Sequence, residues 1–134
     1  MADLTYPQGL RYSAEHEWVA QTDDASVVRV GITDFAQDSL GDVVFVDIPD
    51  VGDSVSAGES CGEVESTKSV SDLVAPVSGE VIVVNEALED SPETINSAPY
   101  DDGWLYEVRL SDPAEVDALM DSAAYAAAVE SEGA

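Results

Sequence analysis

The stretch from Gly62 to Pro76 (Gly-Glu-Val-Glu-Ser-Thr-Lys-Ser-Val-Ser-Asp-Leu-Val-Ala-Pro) places the strongest constraint on how this chain folds. Polar and apolar residues alternate before the lysine, and after it Val70 and Leu73 fall on opposite alternate sets. Alternation on both sides of a small polar gap predicts a β-hairpin. Lys68 lies near the middle of the gap, so we expect it at an exposed tip. The gap lacks Asn-Gly and Asp-Gly, which favours a longer loop or a type I turn over a tight primed turn.

Lys68 is the only lysine among 134 residues and one of only four cationic side chains. An ordinary solvated lysine is the simplest interpretation. However, an enzyme that acylates a lysine must close around the side chain, and a hairpin tip holds the amine clear of the protein body. In a chain whose composition nearly excludes lysine, we therefore interpret Lys68 as a candidate for covalent modification.

Most of the remaining chain consists of short β-branched segments between Pro/Gly turns, which indicates a mainly β protein. The run from Val43 to Ile48 is nearly continuously apolar and predicts a fully buried strand. The pattern favours a flattened β-barrel or sandwich of two antiparallel sheets, with the Lys68 hairpin at one end. The other predicted strands are 11–12, 17–20, 27–30, 52–58, 81–84 and 104–110.

Helical segments are predicted from their capping residues. Thr33 is the expected cap of a short helix that ends at Gly41, with Phe35 and Leu40 on one apolar side. Two further short helical turns are expected near 85–88 and 91–95.

The sequence Asp-Pro-Ala-Glu at 112–115 predicts the start of one C-terminal helix over about 113–129, with Glu115 as the capping-box carboxylate. A stripe of apolar residues at helical spacing is expected to pack against the barrel. Its members are Val116, Leu119, Met120 and Ala123.

The length predicts one domain over 1–134, with a core over about 10–110. The formal net charge is −25, from 29 acids and 4 bases. Acids are spread along the chain without the clustering that a patch for a basic partner needs, and self-repulsion at this density is relieved by concentrated salt. We therefore predict a halophilic source. So few cations disfavour binding to nucleic acid or to anionic membranes.

No secretory signal, transit peptide or membrane-spanning stretch is expected from the sequence, which predicts a cytoplasmic location. One cysteine and one histidine cannot build a zinc site or an internal disulfide. Cys61 is expected to be a small core residue, since a nucleophilic role would require His16 as its base. Catalysis by this chain alone therefore has weak support.

The lysine hairpin resembles the lipoyl-lysine hairpin of the glycine cleavage system H proteins. Further segments are similar to that family in the same order, so that the resemblance covers roughly residues 9 to 130. These segments are 12–19 (Tyr-Ser-Ala-Glu-His-Glu-Trp-Val), 31–41 (Gly-Ile-Thr-Asp-Phe-Ala-Gln-Asp-Ser-Leu-Gly), 42–52 (Asp-Val-Val-Phe-Val-Asp-Ile-Pro-Asp-Val-Gly) and 96–104 (Asn-Ser-Ala-Pro-Tyr-Asp-Asp-Gly-Trp).

The resemblance implies a non-catalytic carrier with lipoate attached covalently to Lys68. It implies that the aminomethyl group of glycine arrives from glycine decarboxylase (P protein) and passes to an aminomethyltransferase (T protein). Dihydrolipoyl dehydrogenase (L protein) then reoxidises the carrier, and a lipoate-attaching ligase or transferase loads it.

The family's cleft residues match Glu17 and Asp72, for which the resemblance suggests electrostatic holding of the cationic aminomethyl group. The alternative is that both are solvated acids like many others here. His16 also matches a family position, while Glu15 departs from the small polar residue common there.

Three other interpretations are open at this point. A lipoyl domain of a 2-oxoacid dehydrogenase acyltransferase usually carries Asp-Lys-Ala at the tip and belongs to a longer chain, whereas the tip here is Thr-Lys-Ser. A biotin carrier typically has Met-Lys-Met. An unmodified interaction domain with a barrel fold would use the hairpin as a scaffold.

The charge generates a prediction about stability. Because screening shortens the range of repulsion from about 10 Å at 0.1 M salt to about 3 Å at 1 M, the thermal midpoint should rise with KCl, mostly below about 1 M. Differential scanning calorimetry measures this, with equimolar sucrose as the uncharged control. A midpoint that is independent of KCl would contradict the prediction.

Overall fold

The computed structural model of the chain describes residues 6–133. Nine strands in this range form two antiparallel sheets. The strands are β1 (Arg11–Tyr12), β2 (Glu17–Gln21), β3 (Val27–Ile32), β4 (Val43–Asp47), β5 (Ser54–Val55), β6 (Ser60–Ser66), β7 (Val70–Val74), β8 (Gly79–Val84) and β9 (Tyr106–Leu110). The helices are α1 (Asp34–Leu40), α2 (Ala87–Asp90), α3 (Thr94–Ser97), α4 (Ala114–Asp117) and α5 (Ser122–Gly133).

The larger sheet has six strands in the order β1-β2-β3-β9-β8-β5, and the smaller has three in the order β4-β6-β7. The two sheets do not close into one barrel, so the sandwich form of the predicted fold is the one observed. The predicted hairpin is β6–β7, with Glu65 opposite Val70 at its outer end. The hairpin thus forms two thirds of the small sheet.

The main hydrophobic core lies between the two sheets and includes Val30, Val64, Leu73, Val81 and Val108. In the hairpin, the buried residues Val64 and Leu73 alternate with exposed ones, as expected for a strand pair with one buried face. A second cluster, built on the aromatic residues Tyr12, Trp18 and Tyr125, joins the C-terminal helix to β1 and β2.

The prediction of a fully buried strand over 43–48 was wrong. β4 is an edge strand in which Val43 is buried, while Val44 and Phe45 are 49% and 55% exposed. The register shifts between Val43 and Phe45, so Val44 is the extra residue of a bulge. Beyond the bulge Phe45 faces outward and Val46 packs on the core.

The capping prediction for α1 is confirmed. The Thr33 hydroxyl accepts a hydrogen bond from the Ala36 amide at 3.2 Å, and Gly41 ends the helix with a φ of 82°. Phe35 and Leu40 do not share one apolar side, however. Leu40 is in the main core and Phe35 packs against the aromatic cluster, because five residues of helix separate them by about 140° around the axis.

The prediction of one continuous C-terminal helix over 113–129 was also wrong, because two helices, α4 and α5, occupy this region. Met120 exchanges backbone hydrogen bonds of 2.8 and 2.9 Å with Tyr12, and this bridge interrupts the helical path. Ala123 is exposed, and Tyr125 and Val129 provide the packing instead.

The carboxylate expected to close the capping box has a different partner. Glu115 accepts hydrogen bonds from the Ser78 amide at 2.7 Å and the Ser78 hydroxyl at 3.0 Å. Asp112 does act at the start of α4, where it accepts from the Ala114 amide. The two other predicted helical turns are present as α2 and α3. In the described part of the chain, no helix has the length and apolar character needed to cross a membrane.

The packing generates a prediction on one strand. Leu73 is 1% exposed and Val70 is 57% exposed. Leu73→Ala should lower the free energy of unfolding by about 2–5 kcal/mol, because it leaves a cavity between the sheets. Val70→Ala is the matched control and should change stability by no more than about 0.5 kcal/mol. Urea unfolding of both variants checks this, and equal effects would contradict the described packing.

Candidate lipoyl-lysine site

The tip of the hairpin is organised by Ser66. Its amide donates to the Ser69 carbonyl at 2.8 Å, and its hydroxyl accepts from the Ser69 amide at 3.1 Å. The same hydroxyl lies 3.4 Å from the amide of Lys68. Apart from glycines, His16 is the one residue of the described chain with a positive φ, so the tip is not a primed turn, as predicted.

A second contact fixes the tip to the segment between α1 and β4. The Thr67 amide donates to the Asp42 carbonyl at 3.1 Å. Asn96 of α3 holds the same segment from the other side: its Nδ2 donates to the Gly41 carbonyl at 2.8 Å, and its Oδ1 accepts from the Val43 amide at 2.8 Å. The tip is therefore supported by a segment that is itself hydrogen-bonded to a helix.

The stem of Lys68 lies over Gly41. A Cβ added at Gly41 would be 3.3 Å from Lys68 Cε and 3.9 Å from Nζ. Lys68 itself is exposed, and within residues 6–133 its ammonium has no hydrogen bond and no ion pair. The hairpin thus presents a supported stem and an unpaired amine, as a covalent acyl linkage to lysine requires.

Glu17 is buried, with 2% of its surface exposed. Its Oε1 accepts a 2.6 Å hydrogen bond from the Ser13 hydroxyl, and Oε2 lies 3.4 Å from the amide of Val74 on β7. Ser13 also accepts from the Glu17 amide at 3.0 Å. Glu17 therefore connects the start of the large sheet to the return strand of the lysine hairpin.

Burial raises the pKa of Glu17 from about 4.5 to about 8, and the hydrogen bonds from Ser13 and Val74 only partly oppose this shift. With this pKa, most of the carboxyl is protonated at pH 7 in this state of the protein. Burial also raises the pKa of the Cys61 thiol, and Glu17 adds to that effect once it is ionised, above about pH 8.

Asp72 is exposed on β7, where it lies opposite Glu63. Asp72 is two residues from Val74, whose amide contacts Glu17. The point where Glu17 contacts β7 is therefore about 7 Å along the strand from Asp72. Their assignment to one cleft stays a prediction.

His16 and Cys61 both have packing partners. The Nδ1 atom of His16 is 2.7 Å from the hydroxyl of Tyr125, and the imidazole packs on Phe35. Cys61 is half-buried against the main core, with Sγ 3.6 Å from the hydroxyl of Tyr106. The interpretation of Cys61 as a core residue agrees with this packing.

Two residues that the sequence did not single out hold the site together. Ser13 is 4% exposed and orients Glu17, and Asn96 holds the support of the tip. Ser13 is four residues from Glu17 across a turn, a spacing that carries no recognisable signal. Asn96 lies in a segment that resembles the family, but nothing in that resemblance indicated its role.

Comparison with known proteins decides the relationship. The sequence profile of the family described as Glycine cleavage H-protein matches residues 10–132. The chain belongs to the glycine cleavage H-protein family. Its role as the lipoyl carrier of the glycine cleavage system follows from that membership.

Individual relatives agree with the profile. The glycine cleavage system H protein of Micrococcus luteus is 62% identical over 120 residues, which covers 90% of this chain and 94% of the relative. The protein of the same name from Enterobacter sp. is 56% identical over 126 residues, covering 94% and 97%. The crystal structure of a glycine cleavage system H protein from Mycobacterium marinum matches with a TM-score of 0.82 at 50% identity, over 90% of this chain and 96% of that one.

Family membership confirms the resemblance found in the sequence. It favours the glycine cleavage carrier over a 2-oxoacid dehydrogenase domain, a biotin carrier or an unmodified scaffold. The described fold, with its two antiparallel sheets and C-terminal helix, agrees with the overall structure of that H protein. The halophilic source stays a prediction, because the comparisons do not test it.

The burial of Glu17 generates a pH prediction. The pKa of Glu17 is about 8 in the folded chain, and its ordinary value is 4.5. Between pH 4.5 and 8, the folded chain therefore keeps a proton on Glu17 that the unfolded chain has released. The stabilising contribution is complete below about pH 4.5 and is lost as pH rises to 8, at up to about 1.4 kcal/mol per pH unit. Glu17→Gln should therefore remove this part of the pH dependence.

Denaturant unfolding from pH 5 to 9 measures the difference between the original chain and Glu17→Gln. The matched control is Glu63→Gln, an exposed acid for which the difference should stay nearly constant. If the Glu17→Gln difference is equally flat, Glu17 is not a neutral buried acid.

Proposed function

We propose that this H-protein family member carries lipoate as an amide on Lys68. The observation that carries the proposal is the position of the chain's single lysine: it is exposed at the tip of the hairpin, and its amine is unpaired within the described residues. An unpaired amine can be acylated without first breaking an ion pair. The residues present therefore fit the linkage.

The chain's own residues supply position and reach. Ser66, Asp42 and Gly41 support the tip from one side and leave the amine outward. From ordinary bond lengths, the lysine stem extended by a lipoyl chain spans about 14 Å. When attached, lipoate supplies a disulfide that accepts the aminomethyl group and is afterwards reoxidised. Amide formation removes one cation, which makes the formal charge one unit more negative than −25.

The proposed partners are those of the glycine cleavage system: glycine decarboxylase, the aminomethyltransferase and dihydrolipoyl dehydrogenase, together with a lipoate-attaching ligase or transferase. In this role the chain itself is not catalytic, because the chemistry takes place in its partners' active sites. We place the protein in the cytoplasm with these enzymes. Its family membership supports each assignment.

Glu17 and Asp72 are proposed to hold the cationic end of the loaded arm near β7. Asp72 is exposed on that strand, and Glu17 reaches it through the Val74 amide. A cation beside Glu17 lowers the pKa of the carboxyl and favours its ionised form. Glu17 would thus exchange its proton for the ammonium, and Ser13 would keep its Oε1 in place.

The attachment site is tested by moving the lysine. Lys68→Arg keeps the charge and should accept no lipoyl group, and it should reduce glycine cleavage in a reconstituted system to background. Arg109→Lys adds a lysine at an exposed position of β9 and should still receive one lipoyl group, on Lys68.

The double variant Lys68→Arg with Arg109→Lys is the sharpest control, because it has one lysine in the wrong place. Intact mass after incubation with a lipoate ligase, lipoate and ATP should show no modification. Lipoylation of the double variant would show that lysine alone, and not the hairpin tip, determines attachment.

A further inference from the structure

Three large apolar side chains are exposed on the hairpin that carries Lys68 and on its neighbouring strand β4. Val44, Phe45 and Val70 are 49%, 55% and 57% exposed. We refer to these three residues as the tip patch. The β4 bulge at Val44 places Phe45 on the outer face. The paired residues before and after Phe45, which are Val43 and Val46, face the core. The patch is therefore a consequence of the fold at this end of the small sheet.

The register places the patch next to the tip. Phe45 lies opposite Glu65, and Glu65 lies opposite Val70, so one row crosses all three strands of the small sheet. With strands about 4.8 Å apart, Phe45 and Val70 are about 10 Å from each other across Glu65. In the pairing of β6 with β7, this row is the last one before the loop that carries Lys68.

The charge around the patch indicates what it contacts. The next row on the same outer face, two residues along each strand, consists of acids, with Glu63 between Asp47 and Asp72. Besides Lys68, this sheet has no cationic side chain. A second copy of this chain would bring acids against acids, so self-association at this face is opposed by repulsion. A complementary surface has an apolar pocket bordered by lysine or arginine.

We propose that the tip patch is the docking surface for the lipoate-attaching enzyme, which contacts it with an apolar pocket bordered by cationic residues. The inference rests on the proposed attachment of lipoate to Lys68. It goes beyond that function by assigning recognition to residues that do not react.

Distance favours the attaching enzyme over the enzymes that act later. An enzyme that acylates Lys68 must approach within the lysine side chain's own length, about 6 Å, and so must cover the row beside the tip. Enzymes that act on the far end of the arm work about 14 Å from the same backbone and can leave that row uncovered.

The test measures attachment kinetics on the unmodified carrier. Initial rates of lipoylation by a purified lipoate ligase, with lipoate and ATP, are followed by intact mass while the carrier concentration is varied. The variants are Phe45→Ser, Val70→Ser and the double substitution. Val51→Ser is the matched control, because Val51 is 60% exposed and lies in the turn before β5. Thermal unfolding verifies that each variant is folded.

We expect the KM for the carrier to rise about tenfold in Phe45→Ser and further in the double variant, with kcat changed less than twofold, as for loss of a central interface side chain. Val51→Ser should match the original chain. Surface plasmon resonance between the ligase and the unmodified carrier should show the same order of affinities.

The outcomes separate the two proposals. If the original chain is not lipoylated on Lys68, the proposed function fails. If it is lipoylated and the patch variants have the KM of Val51→Ser, the docking surface is overturned while the function stands. If the patch substitutions instead change only concentration-dependent self-association in sedimentation velocity, the patch binds a second copy and the proposal is likewise overturned.

Discussion

Burial of Val64 and Leu73 on one face of the hairpin is the constraint on which the site depends. Because side chains alternate along a strand, a one-residue shift of β6 would expose Val64 and bring Glu63 toward the core. The same shift of β7 would expose Leu73 and bring Asp72 inward. The register of β6 and β7 is therefore strongly specified. Once that register is set, Lys68 can occupy only the loop at the far end.

The hairpin is also held at both ends by polar contacts. At the tip, the Asp42 carbonyl accepts a hydrogen bond from the Thr67 amide. Asn96 hydrogen-bonds the backbone on either side of Asp42. At the return strand, Glu17 accepts from Ser13 and from the Val74 amide. A carrier whose cargo must reach several active sites benefits from a fixed origin for its arm, because the reach of the arm is then well defined.

The outward face of the small sheet combines exposed apolar side chains with acids. The bulge in β4 turns Phe45 outward and leaves Val44 exposed close to the tip. An exposed apolar side chain on a highly acidic protein differs in polarity from the charged residues around it. Such a group can be recognised by a partner whose cations approach the neighbouring acids while an apolar pocket covers Phe45.

Local pattern predicted the elements whose signals are themselves local. The hairpin, the Thr33 cap and the absence of a primed turn at Lys68 all follow from a few neighbouring residues, and all are observed. What the pattern missed depends on distant contacts. The apolar run at 43–48 gave no sign of the edge position and bulge of β4. The break in the C-terminal helix arises from the pairing of Met120 with Tyr12, more than a hundred residues away.

The candidate site shows the same division. Lys68 was identified from its own surroundings and from the family resemblance. The burial of Glu17 was not predictable, because it results from Ser13 in the turn before β2 and Val74 on the other sheet closing over the carboxyl. A sequence shows that an acid is present, but its protonation state depends on the neighbours that the fold brings to it.

The most direct measurement is the intact mass of the protein purified from its native cells, followed by peptide mapping. A single lipoyl group located on Lys68 is the predicted result, and it would establish the carrier chemistry in the cell. A biotinyl group, a lipoyl group on another residue, or an unmodified chain from cells supplied with lipoate would contradict it.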